Sequence, residues 1–133
     1  MAFASATPVL QVRDVADSVA WYRRVLGFET APFPDHPPYR FAILTRDGVE
    51  LMLQASSGSA NKPHDGWSVY IRLQGDQLLD LADHVRGQIP LIREPERMPY
   101  GDVEFAVSDP DGHVLVLSEP LPDHGSVPLA KED

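Results

Sequence analysis

The chain has 133 residues, 43% of them hydrophobic, which suits one folded domain with a real core and a globular rather than a disordered chain. It contains no cysteine, so disulfides, thiolate metal sites and a cysteine nucleophile are excluded. Twenty acidic against 11 basic residues leave a net charge of −9, which repels nucleic acid and either serves solubility alone, the favoured reading of charge by itself, or also attracts cationic ligands.

The first element is an apolar strand over Thr7 to Val12. Asp14 follows as an N-cap, because its carboxylate can accept from an unpaired amide of the first helical turn. Asp17 adds negative charge where the helix dipole favours it. Val15, Val19, Tyr22, Val25 and Leu26 recur at helical spacing and predict one buried stripe, with the basic doublet Arg23-Arg24 on the solvated face. Gly27 is the C-terminal stop, and Phe28 begins the return strand. Pro32, Pro34, Pro37 and Pro38 predict a loop over Ala31 to Pro38, since proline lacks the amide a ladder needs. Tyr39 to Arg46 and Val49 to Gln54 read as a hairpin around Asp47-Gly48. Val49, Leu51 and Leu53 share one face of it, and Glu50, Met52 and Gln54 the other.

Residues 55–66 are small, polar and glycine-containing, and read as a linker. Beyond it the order of elements repeats. Trp67 to Leu73 is a strand and Gln77 to Arg86 a helix, with Leu78, Leu79, Leu81, Ala82 and Val85 as its apolar positions. A short strand lies near Leu91 to Arg93, followed by a charged loop over Glu94 to Pro99. Val103 to Val107 and His113 to Ser118 form a closing hairpin around Asp109-Pro110-Asp111-Gly112. The segment from Pro120 is proline-rich and acidic and reads as a mobile tail. No run is long and apolar enough to span a bilayer, and Met1 to Thr7 lacks a basic region and a long apolar run. The expectation is a cytoplasmic protein with no membrane partner.

Strand–helix–strand–strand–strand, written twice, resembles the vicinal oxygen chelate superfamily, which includes glyoxalase I, extradiol dioxygenases and bleomycin-resistance proteins. The resemblance rests on Pro8-Val9-Leu10-Gln11-Val12-Arg13-Asp14-Val15 running into Trp21 to Phe28, and on Tyr100 to Glu119 with its Asp-Pro-Asp-Gly turn. It covers about Pro8 to Glu119. It implies an α+β fold of paired βαβββ modules, forming a curved mixed sheet with a concave ligand cleft and helices on the outer face. The domain spans 1–119, with a first module over about 7–54, the linker over 55–66, a second module over about 67–119, and a tail over 120–133.

Metal-dependent members of that superfamily place a His, Gln or Glu ligand on each of four strands. Matching the motifs puts those positions at Thr7, Glu50, Ser68 and Val116 of this chain. Only Glu50 suits a divalent ion, so the resemblance implies no metal and no cofactor. Glu50 then has two roles open to it, a lone general base or an ion pair with Arg72 or Arg46, and the pair is favoured. The five histidines share no ligand spacing on one element. His36 sits in the proline loop, His64 in the linker, His84 on the second helix, His113 after the turn glycine and His124 in the tail. Nucleophile-elbow, phosphate-loop and dinucleotide glycine motifs are missing from the sequence.

Without a metal the concave face becomes a ligand pocket. Glu50, Met52, Ser68 and Tyr70 are its expected lining and Trp67 its rim, while Phe33, Tyr39 and Phe41 come from the proline loop and the strand after it. Aromatic rings stack on planar heterocycles, and carboxylates attract their positive groups. Phe41, Phe105 and Tyr22 read as core, and Met52 as packing as readily as contact. Within the superfamily the chain looks most like the bleomycin-resistance branch, through its opening run, Val69-Tyr70-Ile71-Arg72, and the Tyr100-Gly101-x-x-Glu104-Phe105-Ala106 run. That branch implies a homodimer that sequesters a cationic aromatic ligand in a groove shared by two subunits. The alternative is a glyoxalase-like lyase or isomerase, or a dioxygenase, using a divalent metal or Glu50. Ser68 departs from the branch, which tends to carry an aromatic residue there.

Overall fold

A four-residue strand, β1 (Val9–Val12), turns at Asp14 into the first helix, α1 (Val15–Leu26). Asp14 is extended, and its carboxylate accepts from the Asp17 amide at 3.1 Å, the side-chain cap expected of it. Gly27 ends the helix at φ 70°, a left-handed conformation that glycine adopts without steric cost. In this computed structural model the described residues are 1–56 and 66–120. The tail beyond Pro120, most of the linker, and with them His64 and His124, lie outside the described residues.

Three further strands complete the first module: β2 (Glu29–Phe33), β3 (Phe41–Arg46) and β4 (Val49–Ala55). They form a sheet in the order β1-β4-β3-β2, with β1 parallel to β4 and the other pairs antiparallel. Register sets Leu10 and Ala42 opposite Leu53, and Leu44 opposite Leu51. All five are buried, on the face that packs against Val15, Val19, Tyr22 and Val25 of α1. Asp47 and Gly48, at φ 50° and 86°, close the expected two-residue turn between β3 and β4.

One expectation fails here. Ala31 to Phe33 belong to a strand, not to the proline loop, and Pro32 lies opposite Ala42. The sheet tolerates this proline because β2 is an edge strand, where one missing donor breaks no interior ladder. The loop proper is shorter and is closed by Arg40 donating to the Phe33 carbonyl at 2.7 Å.

The second module repeats the plan. It comprises β5 (Val69–Arg72), α2 (Leu78–Arg86), β6 (Arg93–Arg97), β7 (Asp102–Ser108) and β8 (Val114–Pro120), with the sheet order β5-β8-β7-β6. Val69, Ile71, Val103, Phe105, Val107, Leu115 and Leu117 are buried on one face with Leu78, Ala82 and Val85 of the helix. The charged loop expected over Glu94 to Pro99 is instead mostly strand. β6 runs along the sheet edge, and its register against β7 shifts between Arg93 and Glu96, which accommodates Pro95.

Gln77, at the start of α2, has no capping side chain of its own. Glu119 of β8 replaces it, accepting from the Gln77 and Leu78 amides at 3.0 and 3.3 Å. Among the described residues the chain divides into two compact units, 1–56 with 110–112, and 66–109 with 113–120. The tip of the Asp-Pro-Asp-Gly turn thus belongs to the first unit. There the buried Asp111 accepts from the backbone amide of Arg13 (3.0 Å), Arg13 Nε (3.1 Å) and Ser18 Oγ (3.4 Å). Among the described residues no helix is long and apolar enough to cross a membrane.

Candidate functional site

Side chains of a strand alternate between faces, so the residues that do not join the helix-packed core of the second unit gather on the other side of its sheet. These are Tyr70 and Arg72 from β5, Val116 and Ser118 from β8, Asp102, Glu104 and Ala106 from β7, and Arg93 and Glu96 from β6. Strand β8 lies between β5 and β7, and the residues it presents between Tyr70 and Glu104 are Val116 and Ser118. That low ridge lets Tyr70 reach across to Glu104.

Glu104 is wholly buried. A buried carboxylate is costly unless it is paired and hydrogen-bonded, and here it is both. Its Oε1 accepts from Arg93 Nη2 at 3.0 Å. Its Oε2 accepts from the Tyr100 hydroxyl at 2.6 Å and from the Tyr70 hydroxyl. Tyr100 reaches it from the β6–β7 turn, where Gly101 donates to the Met98 carbonyl at 3.1 Å and Pro99 sits at a position that favours proline. Desolvation first, and then the bond to Glu104, push the Tyr100 phenol above the usual tyrosine range.

Beside this cluster, Arg72 donates to Asp102 at 2.5 Å and to Ser118 at 3.1 Å. Its guanidinium is held above its ordinary value by Asp102 first and then by the Tyr70 hydroxyl. Above the cluster, the Trp67 ring stacks on Tyr70 with centroids 5.5 Å apart and planes 22° apart. The Arg93 guanidinium lies 5.9 Å from the Trp67 centroid, within cation–π range. Trp67 is 53% exposed, Tyr70 38% and Tyr100 57%. The arrangement is an open aromatic platform on a buried, charge-paired base. It can stack a flat molecule and offer polar atoms at the ring edge.

Of the residues expected from sequence, Trp67 and Tyr70 come together on this platform. Ser68, between them in the chain, is half-buried, and its hydroxyl accepts from the Val114 amide at 3.2 Å. Glu50, Met52, Phe33 and Tyr39 lie in the first unit. Glu50 accepts from the Thr7 hydroxyl at 2.9 Å, not from an arginine. The pairing expected with Arg72 or Arg46 fails because both are engaged elsewhere. Arg72 is with Asp102, while Arg46 donates to the Leu26 carbonyl at 2.6 Å and pairs with Asp47. Met52 is half-buried, opposite Val9 and Ile43. Phe33 stacks on Phe41 at 4.9 Å, and Tyr39 is half-buried in the proline loop. Glu104, Tyr100 and Arg93 were missed. A glutamate amid apolar residues of a central strand was the available signal, since such a side chain is buried only with partners.

The four positions matched to metal ligands do not make a metal set. Thr7 gives its proton to Glu50, Ser68 Oγ is bonded to a backbone amide, and Val116 is a buried hydrocarbon. Among the described residues, no three His, Asp or Glu side chains group as a metal site.

Comparison with known proteins places these features in context. No match is found among curated proteins. Among solved structures, a bleomycin resistance determinant encoded on the transposon Tn5 is 27% identical, with a TM-score of 0.68, covering 90% of this chain and all of its own. TioX from Micromonospora sp. ML1 is 19% identical with a TM-score of 0.68, covering 88% of this chain and all of its own. A glyoxalase-related enzyme from Clostridium phytofermentans is 16% identical with a TM-score of 0.73, covering 91% of this chain and 98% of its own. At those lower identities the likeness is one of fold. The family model for the Glyoxalase/Bleomycin resistance protein/Dioxygenase superfamily matches residues 4–117, and with its two βαβββ modules the chain belongs to that superfamily.

Proposed function

We propose that this protein is a small-molecule-binding protein of the bleomycin-resistance type. In this reading it sequesters a cationic aromatic ligand without a metal or a chemical step. The observation that carries it is the exposed, stacked Trp67–Tyr70 pair standing on the buried Glu104–Arg93 ion pair. A flat ring stacks there at little entropic cost, because Tyr70 is already held by its bond to Glu104. The net charge of −9 draws a cation toward the protein. The 27% identity to the Tn5 determinant supports the same ligand class.

Ser68 is the third contact proposed at the platform. Glu50, Met52, Phe33 and Tyr39 are proposed as a second contact surface, on the face of the first sheet away from α1. A homodimer, with the groove shared between copies, completes the proposal.

The test is a titration with bleomycin, with and without bound copper, followed by tryptophan fluorescence and by calorimetry. Saturable binding with quenching is expected. Trp21 is buried, so W67F should remove most of the quench. W67A should weaken binding about ten-fold, the usual scale for losing an aromatic anchor. Unchanged affinity in both W67A and Y70A would overturn the platform, and no binding at all would overturn the proposed drug class.

A further inference from the structure

The protons of the Glu104 cluster decide which ligands the platform prefers. Glu104 faces the Arg93 guanidinium and accepts from it, so it is a carboxylate with no proton of its own to give. Both phenols bonded to its Oε2 must therefore be donors. A phenol has one proton. Tyr100 and Tyr70 each spend theirs on Glu104, and neither can donate to anything else. Both hydroxyls sit on the same carboxylate oxygen, and neither has a proton for the other. Tyr70 is covered by the stacked Trp67 ring. That leaves the lone pairs of Tyr100 Oη, on the most exposed ring of the cluster, beside the Trp67–Tyr70 stack.

We infer that Tyr100 is a specificity residue whose hydroxyl oxygen acts as a fixed hydrogen-bond acceptor, selecting planar ligands that carry an N–H donor at the ring edge. This rests on the binding reading above and refines its ligand class. The selected group is an amino-substituted heteroaromatic ring, and an otherwise identical ring without an N–H is discriminated against. The selection works through Glu104, which dictates the direction of the Tyr100 proton without touching the ligand.

Two probes separate the alternatives: 2-aminobenzothiazole and 2-(dimethylamino)benzothiazole. They share a ring and are both uncharged at neutral pH, but only the first has an N–H. Their dissociation constants are measured by tryptophan fluorescence on the full-length protein, with W67A as the control for stacking. The wild type is expected to prefer the amino probe about five-fold, the scale of one net hydrogen bond. Y100F, which keeps the exposed ring and removes only its hydroxyl, is expected to bind both probes equally. E104Q adds a second reading, because its amide can donate to a phenol oxygen and release that phenol's proton. Its preference should fall or reverse.

Equal binding of the two probes by the wild type would overturn the inference and leave the stacking platform standing. A preference that survives in Y100F would show that the methyl groups clash, and would overturn it too. If neither probe binds the wild type more tightly than W67A, the platform itself fails, and the inference with it.

Discussion

Among the described residues four carboxylates are buried: Asp109, which accepts from the His113 amide of its own turn, and Glu104, Asp111 and Glu119. The last three each take at least one donor remote in sequence, and each does a different task. Glu104 aligns the phenols of the platform, Asp111 ties residues 110–112 to the start of α1, and Glu119 caps α2. Removing the cap is a direct test. E119A should destabilise the protein by about 1–2 kcal/mol in urea unfolding, the range for losing a helix N-cap. Tyr100 gives a second prediction at this scale. Its folded phenol is held above the value of about 10 for a free tyrosine. The stabilisation is therefore complete below that value and is lost as the pH rises through the higher folded value. Melting temperatures followed upward from about pH 9 should fall more steeply in the wild type than in Y100F. Parallel curves would remove Tyr100 from the cluster.

At the scale of elements, the readings that succeeded were local ones. The Asp14 cap, the α1 stripe, the Gly27 stop and the Asp47-Gly48 turn depend on residues within a few positions of each other. The turn can be checked. Gly48 has φ 86°, and a Cβ there would meet nothing within 4 Å. G48A should therefore cost about 1 kcal/mol through backbone conformation alone, seen as a lower melting temperature with the fold retained. The readings that failed were β2 and β6, where proline was taken as the end of a strand. Proline is excluded from a central strand and tolerated at an edge. Which strand becomes an edge is set by sheet order, and the local sequence does not carry that order.

At the scale of the molecule, the repeat of βαβββ was legible because the order of elements survives where sequence identity between the halves does not. The candidate site was legible only in part. Trp67 and Tyr70 were expected on the proposed platform, Trp67 because it stands at a strand entry and Tyr70 because strand alternation puts it on the face away from the core. Glu50, Met52, Phe33 and Tyr39 share the first unit, and no sequence pattern shows which sheet holds the better platform. The binding reading also makes a prediction here. Val9, Phe33, Trp67, Ile92 and Tyr100 are all large apolar or aromatic side chains at least 38% exposed. Such residues favour association where they form a contiguous patch. Sedimentation equilibrium should give about twice the chain mass of 14.7 kDa, and a strictly monomeric protein would remove the shared groove from the proposal.

By itself the sequence determined the helices, most strands, the chemistry absent from the four metal-ligand positions, and membership of the superfamily. The elements follow from short-range periodicity, capping and residue identity, which are properties of neighbours along the chain, while the superfamily was legible as a resemblance in their order and motifs. Only the tertiary structure decided that Glu104 is a buried carboxylate beneath Tyr70, Tyr100 and Arg93. The reason is physical. Sheet register and the low ridge of Val116 and Ser118 bring together four side chains from three strands and a turn. Once they meet out of water, their charges and protons can be arranged in few ways.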